Sequence, residues 1–284
     1  MKDKIVMVTG ASSGIGVETA RELARQGATV LIAGRNPERT HAVRDMLRED
    51  TRNESIEAFI ADFSSLKAVK GLAEEVSARF DRLDVLINNA GLWHSKFTLS
   101  ADGYEDTFAV NHLAGYLLTE ELLPLLREAK SARIVHVASR LHKSPRTLDL
   151  NNLMCEKTRF YRGLKVYGHS KLAQVIYSTD LARRLEGTNV TSNALHPGDV
   201  MTNVTRDNRF LNWAKNFAGF ILITPEEGSK TSLHVAMHPS VEGVSGRYFD
   251  KSKIAKAHRH AANRKLAEGL RERSEALIKR ALER

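Results

Sequence analysis

Tyr167 and Lys171 stand four positions apart in Tyr167-Gly168-His169-Ser170-Lys171, a stretch that reads as helix. Side chains at i and i+4 share one helical face, roughly 5–6 Å apart at Cβ. A cation held there favours the phenolate, so Lys171 is expected to draw the phenol's pKa down from about 10 toward working pH. A phenol tuned in that way gives a proton to a carbonyl or takes one from an alcohol. Pairs at this spacing are common on helix surfaces, so the reading needs a cofactor site for the pair to serve.

The N-terminal stretch supplies one. Ile5-Val6-Met7-Val8 is an apolar run of strand length, followed by Thr9-Gly10-Ala11-Ser12-Ser13-Gly14-Ile15-Gly16. From Val17 to Gln26 the composition is helical, and Gly27 is placed to stop the helix. Glycines between a strand and a helix let the backbone turn tightly and approach a pyrophosphate, whose charge sits at the helix N-terminus. The spacing is Gly-x-x-x-Gly-x-Gly, not the commoner Gly-x-Gly-x-x-Gly. The strand-to-helix context makes it a nucleotide site.

The elements that must position these residues alternate without a linker, repeat or low-complexity segment. Strands are expected at Ile5–Thr9, Thr29–Gly34, Ile56–Asp62, Val85–Asn88, Arg133–Ser139, Thr191–Leu195 and Gly246–Phe249, with helices between. Near-continuous apolar strands alternating with helices predict an α/β fold, a single-domain, Rossmann-type, doubly wound parallel sheet with helices on both faces. In such a sheet the ligand crevice lies at the carboxyl ends of the strands. At 284 residues, 42% hydrophobic, the chain is long enough for one large core.

Composition excludes several classes. No apolar run approaches the roughly 18 residues of a membrane span, Phe217 to Ile223 being the nearest. The N-terminus enters a strand at once, which leaves no room for a secretion signal. A lone Cys155 rules out an intrachain disulfide and a multi-cysteine metal site, and no metal is expected. The net charge of +9 is concentrated after Asp250, where Lys251 to Arg284 carries eleven Lys/Arg against four Glu. That segment, 251–284, reads as a basic C-terminal helical extension docked by a stripe of Leu266, Leu270, Leu277 and Ile278. Charge alone supports only non-specific nucleic-acid contact, so no nucleic-acid partner is expected. His258 and His260 lack a carboxylate or cysteine ligand set and read as surface residues.

The chain resembles the short-chain dehydrogenase/reductase family from Lys4 to about Asp250, on Thr9 to Gly16, Asn88-Asn89-Ala90-Gly91, Asn111, Ser139, Tyr167 with Lys171, and Pro197-Gly198. Tyr167-Gly-His-Ser-Lys-Leu-Ala, Ala194-Leu-His-Pro-Gly, Thr224-Pro-Glu-Glu-Gly and Gly246-Arg-Tyr-Phe resemble its retinol-dehydrogenase-like branch. The resemblance implies oxidoreduction between an alcohol and a carbonyl on a small molecule of apolar character. It assigns cofactor contacts to Gly10, Ser12, Ser13, Gly14, Ile15 and Gly16, adenine contacts to Asp62 and Phe63, and the adenosine ribose side to Asn89, Ala90 and Gly91. Pro197, Gly198 and Thr202 would border the nicotinamide. Tyr167 would be the general acid or base, Lys171 would hold the nicotinamide ribose, and Ser139 would donate to the substrate oxygen. Asn111 would hold a water that relays protons to Lys171.

NADP(H) is favoured over NAD(H). NAD enzymes usually place an acid after the second strand, for the ribose 2′-hydroxyl. This chain has Gly34-Arg35-Asn36 there, and a guanidinium suits a 2′-phosphate. Four further expectations concern the segments around the site, the assembly and the location. The segment from Leu148 to Tyr161 is an insertion beside the substrate mouth, and 201–219 is either a mobile, partly apolar lid or a packed surface helix. A homodimer or homotetramer is possible, because relatives commonly pair through the helices that would hold Asn111 and Tyr167. Membrane-bound members of the branch carry an N-terminal anchor that this sequence lacks, so a cytoplasmic location is expected. The alternatives are a catalytically silent dinucleotide-binding regulator and a sugar-nucleotide epimerase or dehydratase. The intact Ser139, Tyr167 and Lys171 weigh against the first. The glycine spacing and the lack of a long C-terminal substrate domain weigh against the second.

Overall fold

A computed structural model describes residues 1–157, 159–199 and 223–284. In chain order the first half contains β1 (Ile5–Thr9), α1 (Ile15–Arg25), β2 (Thr29–Gly34), α2 (Pro37–Thr51), β3 (Ile56–Ile60), α3 (Leu66–Arg79) and β4 (Val85–Asn88). A short α4 (Asp106–Phe108) then passes through a π-helical turn at Ala109–Ala114 into α5 (Gly115–Glu128). After β5 (Ala132–Val137) and a 3-10 turn at Arg140–Lys143 come α6 (Gly163–Arg184), β6 (Val190–His196) and α7 (Pro225–Met237). The chain ends with β7 (Tyr248–Asp250), β8 (Lys253–Ala255) and α8 (Arg264–Leu282).

The strands form one sheet in the order β3-β2-β1-β4-β5-β6-β7-β8, parallel except for the β7–β8 pair. Strand order reverses between β1 and β4, the switch point at which a doubly wound sheet opens a crevice. Alternate side chains of one strand feed two cores, as the period of two requires. Met7 and Leu31 face the layer holding Phe59, Phe108 and Leu118, and Val6, Val8 and Ile32 face the layer holding Leu23, Leu47 and Val235. Asp84 fixes the register of β1 from β4's side by accepting from the Ile5 N–H at 2.9 Å and the Lys4 ammonium at 2.7 Å.

Strand positions agree with those read from the sequence to within two residues, β3 ending at Ile60 rather than Asp62. The strand β8 was not foreseen. It turns back through Lys251 and Ser252, both with positive φ (50° and 59°), a turn whose usual signature is Asn-Gly or Asp-Gly. The helix α8 packs on the core through the four expected positions, Leu266, Leu270, Leu277 and Ile278, and through small residues beside them. Ala267, Leu270, Ser274, Ile278 and Ala281 are the buried positions of α8, and Leu266 and Leu277 are only partly covered. Small residues at the seam, Ala267, Ser274 and Ala281, let the helix lie close to the π-helical turn and α6, and this part of the seam has no apolar signal in the sequence.

Candidate active site

The cofactor cradle is made of backbone. Gly10 leaves β1 at φ +65°, and a Cβ there would lie 2.8 Å from Ala90 Cα. A Cβ on Gly16 would lie 2.5 Å from the Gly10 carbonyl oxygen and 2.7 Å from Asn89 Nδ2. Only a bare α-carbon allows the turn and the first turn of α1 to approach this closely. No side chain caps the N-terminus of α1 at Gly14, so the first amides of the helix have no side-chain acceptor there. A helix N-terminus with unclaimed amides attracts a pyrophosphate. That cradle fits a dinucleotide.

Asn89, Ala90 and Gly91 serve it from the next strand. The Thr9 hydroxyl accepts from the amides of Asn89 (3.0 Å) and Ala90 (2.9 Å), while Asn89 Nδ2 donates to Thr9 O at 2.8 Å. The expected ribose contacts of these residues are therefore joined by a brace that holds the glycine turn. At the adenine end, a Cβ on Gly34 would meet Ser12 Oγ at 3.3 Å, which brings the serine to the start of the Gly34-Arg35 corner. Arg35 is exposed and has no carboxylate partner among the described residues, and no acid stands beside it at the end of β2. Asp62 accepts from the Ser64 amide at 3.0 Å, and the Phe63 ring packs in the core.

The chemistry sits at the ends of β5 and β6. Ser139 caps the 3-10 turn by accepting from the Leu141 amide at 3.2 Å. A hydrogen bond between Ser139 and Tyr167 lowers the phenol's pKa, but burial dominates and Asp199 adds to it, pushing Tyr167 up to about 12. The Lys171 ammonium lies 5.5 Å from the Tyr167 ring centroid and donates to Val137 O at 3.0 Å. Burial pushes Lys171 down to about 7. The expected lowering of Tyr167 by its lysine is thus reversed within the protein's own groups. Both side chains are taken out of water, and desolvation disfavours phenolate and ammonium alike. Pro197 and Gly198 follow β6 at this same end of the sheet. Thr202 and the 201–219 segment lie outside the described residues.

Asn111 is placed by the π-helical turn, an element with no compositional signal. Its Oδ1 accepts from the Leu92 amide at 2.8 Å, and its Nδ2 donates to Leu92 O at 3.0 Å and to Ser170 Oγ at 2.9 Å. One side chain therefore pins the Asn89–Gly91 loop to the helix carrying Lys171. Sequence reasoning gave Asn111 a water relay and missed this clamp, in which both amide hydrogens are used.

Three further supports were missed. His142, fully buried, lies with Nδ1 2.6 Å from Ser139 O, and its Nε2 accepts from the His258 amide at 3.2 Å. A backbone amide can only donate, so Nε2 is the acceptor and Nδ1 carries the proton that Ser139 O accepts. His258, read from sequence as a surface residue, is wired to the serine's turn and also approaches Pro145 O at 3.0 Å. Ser274 of α8 gives its hydroxyl proton to Leu270 O at 2.8 Å and so accepts from His112 Nε2 at 2.9 Å, fixing the neighbour of Asn111. Buried Glu105 accepts from the Tyr161 hydroxyl at 2.8 Å and from the Thr107 and Phe108 amides, tying the 148–161 segment to the start of α4. The Arg140 guanidinium turns toward Asp199 (3.5 Å) and Asp250 (3.9 Å). Among the described residues no metal-binding cluster occurs, and no helix is long and apolar enough to cross a membrane.

Residues 4–149 match the family model described as short chain dehydrogenase. Human retinol dehydrogenase 11 is 39% identical over 94% of this chain and 83% of its own length. Mouse retinol dehydrogenase 12 is 40% identical over 94% of this chain and 84% of its own length. Among solved structures, an uncharacterized protein from Mycobacterium paratuberculosis is similar with a TM-score of 0.80 and 30% identity, covering 98% of this chain and 94% of that one. A short chain dehydrogenase from Shigella flexneri complexed with NADP has a TM-score of 0.70 and 27% identity, covering 89% of this chain and 98% of that one.

Proposed function

The chain belongs to the short-chain dehydrogenase family, whose members are NAD(P)-dependent oxidoreductases acting on alcohol and carbonyl groups, and we propose that it uses NADP(H) and an apolar small-molecule substrate. The observation that carries the reading is the convergence of Tyr167, Ser139 and Lys171: Ser139 stands near enough to lower the phenol's pKa, and the Lys171 ammonium lies 5.5 Å from its ring. Gly10 to Gly16, Asn89 to Gly91, Arg35 and Lys171 would hold the dinucleotide, which when bound supplies or accepts the hydride. In reduction Tyr167 gives its proton to the carbonyl oxygen, and in oxidation it takes the hydroxyl proton. Ser139 donates to the same oxygen as negative charge develops, held in place by His142 and by the Leu141 amide. Lys171, anchored on Val137 O beside the phenol, would donate to a ribose hydroxyl of the bound dinucleotide.

The preference for NADP(H) rests on Arg35, exposed and without a carboxylate partner after β2, with Ser12 beside the corner. An apolar substrate is supported by relatives named for retinol, an apolar alcohol, and by Phe97 and Tyr161, packed edge-on at 5.7 Å next to the start of α6. The test is a comparison of kcat/KM with NADPH and NADH over a series of aldehydes of rising chain length. Preference for NADPH and rising kcat/KM with length are expected. A preference for NADH, or flat dependence on length, would refute the corresponding part.

A further inference from the structure

α6 has two working faces. Tyr167, Ser170 and Lys171 point at the catalytic cleft, whereas Arg162, Lys165, Val166 and His169 follow one another at i, i+3, i+4 and i+7 on the opposite side. That second stripe lines a cavity of about 270 Å³ between α6 and the 148–161 segment, closed by Asp149 and Phe160.

We propose that this cavity binds a small amphipathic carboxylate, with its flat apolar body against Phe160 and Val166 and its charged end on Arg162 and Lys165. Four observations support it. Arg183 and Arg184, at the far end of the same helix, are held by Asp180 and Glu120, but Arg162 and Lys165 form no ion pair among the described residues. Phe160 is 71% exposed, above the other large exposed hydrophobic side chains of the described residues, and apolar surface of that size beside a cavity favours an apolar ligand. Among the described residues of the wall the one carboxylate is Asp149, which is engaged with the Asn151 amide at 3.0 Å, so the two cations outnumber it. His169 is held neutral by burial and by the Lys165 charge, so its ring offers a donor without adding charge. The volume, just under the roughly 300 Å³ at which ligand pockets begin, suits a molecule smaller than a typical drug.

The site needs no catalytic residue, so it stands apart from the oxidoreductase reading. Its test uses 2-naphthoate as the probe in calorimetric titrations of the full-length protein, with neutral 2-naphthamide as the control. Wild-type protein should bind 2-naphthoate with the same affinity whether or not NADPH is saturating. Arg162→Ala/Lys165→Ala should weaken binding by about tenfold or more. A matched loss of two positive charges elsewhere, Arg264→Ala/Lys265→Ala, should leave the affinity unchanged. Both pairs are exposed, which keeps folding out of the comparison, and circular dichroism checks it. No binding at millimolar probe, equal binding of the amide, equal losses in the two double variants, or displacement by NADPH would each overturn the assignment.

Discussion

The two ends of the site are built from different materials. The cradle around β1 and α1 works through what is missing: side chains at Gly10 and Gly16, and a cap at Gly14. The region beyond β5 works through what is brought in from afar. His142 and His258 hold Ser139, Asn111 joins Leu92 to Ser170, and Ser274 reaches His112 across 162 positions. A backbone cradle tolerates little variation in side-chain volume, while a side-chain scaffold can lose one member and keep its shape. Substitutions in the two regions should therefore fail in different ways.

The largest effect short of the phenol itself belongs to Ser139. Ser139→Ala should lower kcat by about 10²–10³-fold, with cofactor affinity kept. Its hydrogen bond lowers the Tyr167 pKa, and alcohol oxidation needs the phenolate, so the rising limb of the oxidation pH profile should move to higher pH in the variant. A limb that stays in place, or moves down, separates Ser139 from the proton transfer. In the cradle, Gly16→Val should weaken NADPH binding by about tenfold to a hundredfold, because the new side chain begins 2.5 Å from the Gly10 carbonyl. Fluorescence titration of NADPH reads this directly, and unchanged affinity would dissolve the contrast between the regions. Arg35→Asp should change the NADPH to NADH ratio of kcat/KM by about tenfold or more without a comparable loss of kcat. An unchanged ratio would show that Arg35 does not read a phosphate. The smallest catalytic effect is expected from α8. Leu270→Ala should cost about 2–5 kcal/mol in denaturant unfolding while kcat of the folded enzyme changes little. A large loss of kcat at full occupancy of the folded state would make the tail part of the machinery.

The sequence carries the cradle plainly, because its signal is local. Glycines between an apolar run and a helix encode a bend and a close approach within eight residues, and Gly27 encodes the helix stop, seen in the bonds from Gly27 N to Ala24 O and Ala28 N to Leu23 O. Tyr167 and Lys171 were legible for the same reason, their spacing being one helical turn. The π-helical turn at Ala109–Ala114, the His142–His258 support and the α8 seam were not legible. Each depends on residues far apart in the chain, and their residue types (alanine, serine, histidine) carry no periodic signal. The direction expected for the Tyr167 pKa differs from that in the structure because spacing gives the proximity of Lys171 but says nothing of the water removed around the phenol. The direction of the Arg140 guanidinium is set by Asp199 and Asp250, which lie far along the chain and leave no local signal.

At the centre stands a division of labour: the Tyr167 hydroxyl moves the proton and contributes little to holding the dinucleotide. Tyr167→Phe measures it most directly, with turnover and NADPH affinity determined on the same preparation. The account predicts a loss of kcat of about 10³-fold or more, with the dissociation constant for NADPH kept within about threefold. A variant that turns over within tenfold of wild type would contradict it, as would one whose lost activity is fully explained by lost NADPH binding.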